Sequence, residues 1–209
     1  MIDDGSDLVN YDNLSRVLEC SHNLMSLYMG SCPGIRAPDF QEMFNRSPYM
    51  CRSLTSFNVS GSEILRYPMQ FVLKAMPNLE VLNLSHTFTD DELLDTIAEC
   101  NRNIERLYLS KCFYITELGI REVVDKCLKL EYLDVTDCPY CTELDFVESR
   151  GIHLEWGSRC IDYEEYIKHV ETYGDGMAEL YHSDNYGYED KYSYSEEYES
   201  SDDEDSDVI

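Results

Sequence analysis

Basic side chains are scarce in this sequence. Only 16 Lys and Arg stand against 42 Asp and Glu, a formal net charge of −26 over 209 residues. A chain of that sign is repelled by phosphate backbones and anionic lipid, so neither nucleic acid nor membrane is an expected partner. No apolar run approaches the roughly 20 residues of a spanning helix. The opening residues, MIDDGSDLVN, have neither the basic nor the apolar region of a signal or transit sequence. The expected location is therefore the cytoplasm, the nucleus or both. Catalytic signatures are missing as well: there is no Gly-rich phosphate loop, no H-E-x-x-H and no G-x-S-x-G. The five histidines (His22, His86, His153, His169, His182) are never spaced as metal ligands. Asp90-Asp91-Glu92 is a carboxylate cluster, but it falls where a helix should begin and there complements the helix dipole. No catalytic residue, metal or cofactor is expected.

What the chain does have is repetition. From Leu79 it reads LEVLNLSHTFTDDELLDTIAEC, from Ile104 IERLYLSKCFYITELGIREVVDKC, and from Leu130 LEYLDVTDC. The starting anchors lie 25 and 26 residues apart, and each opens the frame apolar-x-x-apolar-x-apolar. Alternation at the last two anchors puts both side chains on one face of a short strand. Leu93, Leu94, Ile97 and Ala98, and then Leu118, Ile120, Val123 and Val124, follow at helical spacing. One strand-plus-helix unit cannot bury its apolar side alone, whereas stacked copies share a continuous core. A period of 20 to 29 residues with this frame marks a leucine-rich repeat. The expected fold is an α/β solenoid, a right-handed stack of strand-plus-helix units.

Earlier copies are looser. Leu54-x-x-Phe57-x-Val59 precedes Leu79 by 25 residues and follows Leu24-x-x-Leu27-x-Met29 by 30. Phe40, Met43 and Phe44 are expected to supply the helical packing between them. Ile64, Leu65, Phe71, Val72 and Leu73 form the next stripe, whose helix is expected to begin at Pro68. Leu8, Val9, Leu14, Val17 and Leu18 read as the helical half of a repeat whose strand half is absent. After Cys138, Leu144, Phe146 and Val147 suggest one more short helix. Ile152-x-Leu154-x-Trp156 then alternates like a final edge strand. Trp156, the only tryptophan, is expected to cover the open end of the core.

Nine cysteines do not imply disulfides here, because the repeat accounts for most of them. Cys20, Cys51, Cys100 and Cys127 each precede a predicted strand, and Cys32, Cys112 and Cys138 each follow one. All seven are expected to pack in the core as small, weakly polar side chains. Cys138-Pro139-Tyr140-Cys141 is formally a C-x-x-C, but no second one exists to complete a zinc site.

The stretch CNRNIERLYLSKCFYITELGI, Cys100 to Ile120, resembles the cysteine-containing class of leucine-rich repeat. In that class one Cys precedes the strand, another follows it, and an Ile-Thr-x-x-Gly phrase leads into the helix; here the phrase is Ile115-Thr116-Glu117-Leu118-Gly119-Ile120. Such repeats form the target-binding half of F-box/leucine-rich-repeat proteins and occur in the Amn1-like group. The resemblance covers about residues 8 to 156. It implies target recognition for an SCF-type ubiquitin ligase, with the ligase's adaptor as a further partner through an upstream F-box. No Leu-Pro-x-Glu phrase of an F-box precedes Leu8, so a stand-alone, Amn1-like interaction protein is the alternative.

The expected division is a repeat domain of five to six units over residues 1–160 and an acidic, Tyr- and Ser-rich tail over 161–209. The tail holds 17 of the 42 acidic and 2 of the 16 basic residues, so it carries −15 of the −26. That composition has too little aliphatic surface to offset ordering entropy, and disorder is expected. Ser200 and Ser201, followed by Asp-Asp-Glu-Asp, are candidate phosphorylation sites for acid-directed kinases. In the repeat domain, residues between the anchors face outward on the concave, strand-lined side. The candidate partner-binding residues there are Tyr28, Asn58, Asn83, Arg106, Tyr108, Tyr132 and Asp134. A column of Glu80, Glu105 and Glu131 beside them favours a basic segment of a protein partner, bound by a monomer.

Overall fold

The structure, a computed structural model, describes residues 11–31, 37–62 and 66–157. These all belong to one unit, Met1–Asp162. Ser200, Ser201, the rest of the tail, Cys32, Cys160 and the boundary expected at residue 160 lie outside the described residues.

Helices and strands alternate: α1 (Tyr11–Cys20), β1 (Ser26–Tyr28), α2 (Ala37–Asn45), α3 (Pro48–Ser53), β2 (Ser56–Asn58), α4 (Arg66–Lys74), β3 (Val81–Asn83), α5 (Asp91–Cys100), β4 (Arg106–Tyr108), α6 (Glu117–Lys126), β5 (Tyr132–Asp134), α7 (Asp145–Ser149) and β6 (His153–Glu155). The six strands form one parallel sheet in sequence order. Register follows the anchors: Leu27, Phe57, Leu82, Leu107, Leu133 and Leu154 align across the sheet. Of these, Phe57, Leu82, Leu107 and Leu133 are wholly buried. The longer helices pack on one another in the order α1, α2, α4, α5 and α6. The 30-residue first interval has room for α3, which the 25-residue intervals lack. Phe40, Met43 and Phe44 fill the core beside it, with the Phe40 and Phe44 rings 4.9 Å apart.

Two devices lock the copies together, a backbone one at five successive repeats and a side-chain one at α5 and α6. Seven residues after each anchor stands a left-handed residue: Ser31, Gly61, His86, Lys111 and Asp137, with φ between 49° and 67°. Only Gly61 adopts this conformation without steric cost; for the others it costs about 1 kcal/mol. Each donates its N–H to the following repeat, to Ser60, Ser85, Ser110, Thr136 and Gly157 respectively, at 2.7 to 3.1 Å. At the helix side the first-turn carboxylates do the same work. Asp90 caps α5 by accepting the Leu93 N–H, while Asp91 accepts both the N–H and the hydroxyl of Thr116 at 2.8 and 2.6 Å. One repeat later Glu117 accepts the Thr142 hydroxyl and the Thr142 and Glu143 N–H groups. The Thr142 hydroxyl, and then those backbone donors, hold the Glu117 carboxyl below the usual carboxylate range. Glu92 and Asp90 both pair with Arg66 at 2.8 Å. The cluster Asp90-Asp91-Glu92 is thus committed to joining repeats.

The cysteines divide more sharply than expected. Three residues ahead of each anchor is a buried column of Cys51, Met76, Asn101 and Cys127. Cys20 and Cys100 stand one position earlier, and are exposed and half-buried respectively, not in the core. Asn101 takes the core position instead and donates to the Leu73 and Met76 carbonyls at the end of α4, 3.1 and 2.8 Å away. Cys112 and Cys138, eight residues after their anchors, are buried, and each thiol donates to the preceding repeat, to Leu84 O (3.2 Å) and Leu109 O (3.0 Å). Burial pushes the Cys112 thiol up to about 12 and Cys51 and Cys127 up to about 11; hydrogen bonding with Cys141, followed by burial, raises Cys138. The thiolate is the reacting form. At about pH 8, iodoacetamide should therefore modify Cys20 well before Cys51, Cys112, Cys127 and Cys138, which should react only on unfolding. Site-resolved mass spectrometry reads that order.

Some apolar positions also depart from expectation. Helix α4 begins at Arg66, so Pro68 lies inside its first turn, where its missing N–H leaves no bond unmade. Val17 is 60% exposed and Leu118 73% exposed, because Leu18 on α1 and Ile120 on α6 take the inward directions. Ile64 and Leu65 lie outside the described residues.

Candidate partner-binding face of the strands

The outward residues of the six strands form two columns. The first runs Ser26, Ser56, Val81, Arg106, Tyr132 and His153; the second runs Tyr28, Asn58, Asn83, Tyr108, Asp134 and Glu155. A third line, just ahead of the strands, holds Glu80, Glu105 and Glu131. Its positions are fixed by the backbone: Glu80 O accepts the N–H of Glu105 and Arg106, and Glu105 O accepts those of Glu131 and Tyr132.

Within this face the candidate residues have unequal roles. Asn58, Asn83 and Asp134 each turn Oδ1 back to the N–H two residues on (Ser60, Ser85 and Thr136), all at 2.9 Å. Their oxygens close the turn that leaves each strand, while the residues remain half-exposed. Tyr28 is 72% exposed but sits on β1, three strands from β4. Tyr108 and Tyr132 are brought together, with ring centroids 5.0 Å apart, and Arg106 lies in register with Tyr132.

The pair is part of a longer ladder that runs on to the last strand. His153 stacks on Tyr132 at 5.5 Å and 26°, and Glu155 hydrogen-bonds the Tyr132 side chain. Burial among these neighbours, then the Glu155 hydrogen bond, pushes the Tyr132 phenol up to about 12. The signal for His153 and Glu155 was present: they are the intervening residues of Ile152-x-Leu154-x-Trp156. Trp156 itself follows the strand in the column of Val135 and is 48% exposed.

No protein-family model matches this sequence. A crystal structure of a TLR13–ssRNA13 complex matches 68% of the chain with a TM-score of 0.51 at 17% identity. The fold is a leucine-rich-repeat solenoid. The chain spans only 20% of that TLR13 chain's length. An internalin, InlF, from Listeria monocytogenes matches 72% of this chain and 50% of its own at 15% identity and a TM-score of 0.43. The tropomodulin C-terminal domain of Caenorhabditis elegans matches 82% and 96% at 9% identity and a TM-score of 0.40.

Among the described residues no group of three or more His, Cys, Asp or Glu is placed to hold a metal ion. None of the described helices is long and apolar enough to cross a membrane.

Proposed function

We propose that this solenoid is a non-catalytic protein-binding module that receives its partner on the outward face of the strands. The observation that carries the reading is the Tyr108–Tyr132–His153 ladder, which leaves large rings partly exposed on a rigid sheet instead of in the core. Tyrosine offers much contact area with few rotatable bonds, and such clusters concentrate binding energy. The biological role we assign is target recognition for an SCF-type ubiquitin ligase, in the cytoplasm or nucleus. The resemblance of Cys100–Ile120 to F-box/leucine-rich-repeat proteins supports it. A stand-alone, Amn1-like regulator, which binds through its repeats alone, is the second reading. An F-box encoded directly upstream of Met1, with adaptor binding by the longer product, would decide for the ligase.

The face itself is tested by capture of the physiological partner. Tyr108→Ala and Tyr132→Ala should each weaken capture at least tenfold, about 1.4 kcal/mol, with the thermal midpoint nearly unmoved. Lys126→Ala and Lys129→Ala, on the helical side, should bind normally. If the helical-side changes abolished capture and the tyrosine changes did not, the binding face would be the other one.

A further inference from the structure

Resting on that strand-face reading, we propose that the occupant is a cationic, extended protein segment, carrying Arg or Lys at every third position and lying across β3 to β6.

The aromatic ladder marks the place and the charge distribution selects the occupant. The outward residues of β1 and β2 are Ser26, Tyr28, Ser56 and Asn58, all uncharged. From β3 onward the same face carries Glu80, Glu105, Glu131, Asp134 and Glu155, against Arg106 as its one fixed positive charge. The negative half of the face therefore coincides with the half that holds the ladder. Tyrosine π-faces and phenol oxygens attract cations, most strongly where neighbouring carboxylates add to the field.

Spacing narrows the choice further. Adjacent strands lie about 4.8 Å apart, so Glu80 to Glu131 spans about 10 Å. An extended chain in the polyproline II conformation, with three residues per turn and about 3.1 Å per residue, covers that span in three residues and returns i and i+3 to the same side. Cations at i and i+3 thus reach the two outer acids, with the residues between them passing over Glu105 beside the aromatic ladder, which Tyr132, the neighbour of Glu131, joins to Tyr108. The chain's own last 49 residues cannot fill this role, since they carry net −15 and share the sign of the face. An anionic partner such as RNA or a phosphopeptide is repelled for the same reason.

The test uses the full chain at physiological salt and fluorescence anisotropy of a labelled Gly/Ser peptide with three arginines at every third position. Its neutral counterpart carries citrulline in their place. The Glu105→Gln/Glu131→Gln double variant should bind the arginine peptide at least tenfold more weakly than wild type, and Tyr108→Ala should do likewise. A tail variant that removes the same charge, Asp202→Asn/Glu204→Gln, should bind as wild type does. Equal losses from face and tail variants would mean that the peptide follows net charge alone, and the proposal would be overturned. Equal affinity for the citrulline peptide would overturn it too. If either happened while Tyr108→Ala still blocked capture of the physiological partner, the strand-face reading would stand and only the cationic occupant would fall.

Discussion

Leu107→Asp should abolish cooperative folding of the solenoid. Leu107 is wholly buried at the centre of β4, in register with Leu82 on one side and Leu133 on the other. The substitution removes the apolar contacts of a core leucine, which costs about 2 to 5 kcal/mol. It also places a carboxylate between the buried Leu82 and Leu133 side chains, adding several kcal/mol more whether the group stays ionised or is forced to take up a proton. Those terms rival the whole stability of an ordinary domain, about 5 to 15 kcal/mol. In a stacked-repeat protein the damage spreads, since each unit is held chiefly by its neighbours. Breaking β4 separates β1–β3 from β5–β6. Circular dichroism during heating should show no sharp transition. Asp95→Ala, exposed on α5, should stay within ~0.5 kcal/mol of wild type. A Leu107→Asp protein melting at the wild-type temperature would contradict the register.

Gly119→Ala should destabilise, although the same change inside a helix ordinarily stabilises by about 1 kcal/mol. Gly119 is buried in α6 against α5. A Cβ built there falls 2.4 Å from Asp91 Oδ1 and 2.8 Å from Leu94 Cδ1. Leu94 is in the core, and Asp91 is held by the N–H and hydroxyl of Thr116. Neither can retreat without cost. Overpacking costs about 1 to 3 kcal/mol, and loosening the two Asp91 hydrogen bonds adds about 1 kcal/mol each. Set against the helix gain, the net loss should be about 3 kcal/mol, lowering the thermal midpoint by roughly 6 to 12 °C. The cause can be isolated. In an Asp91→Ala background, where the oxygen is gone, Gly119→Ala should cost much less, and a double-mutant cycle measures the difference. Equal cost in both backgrounds would show that Asp91 is not what the methyl meets.

The phrase Ile115-Thr116-Glu117-Leu118-Gly119-Ile120 shows how physical roles hide behind a sequence pattern. Ile115 and Ile120 fill the core, Thr116 caps α6, Glu117 reaches Thr142 of the next repeat, and Gly119 admits α5 at close range. Leu118, read from the sequence as part of the apolar stripe, faces outward. Helical spacing fixed the stripe to within about one residue, which is too coarse to tell Leu118 from Gly119 when the glycine is the one facing the neighbouring helix.

The 25- and 26-residue spacing, the alternation at each strand and the apolar stripes after them were enough to set the repeat, the order of the sheet and its outward columns. Those features are local: a period of two or of 3.6 residues is written in neighbouring side chains and needs no partner to be read. The tertiary structure alone decided which cysteines are in the core, since Cys100 and Asn101 are adjacent and only stacking places Asn101 beneath the α4 carbonyls. It alone gave Asn58, Asn83 and Asp134 their turn-closing bonds and carried the tyrosine pair on to His153 and Glu155. The cross-repeat contacts among these join groups 21 to 28 residues apart. Their geometry depends on how one repeat seats against the next, which no single repeat's sequence contains.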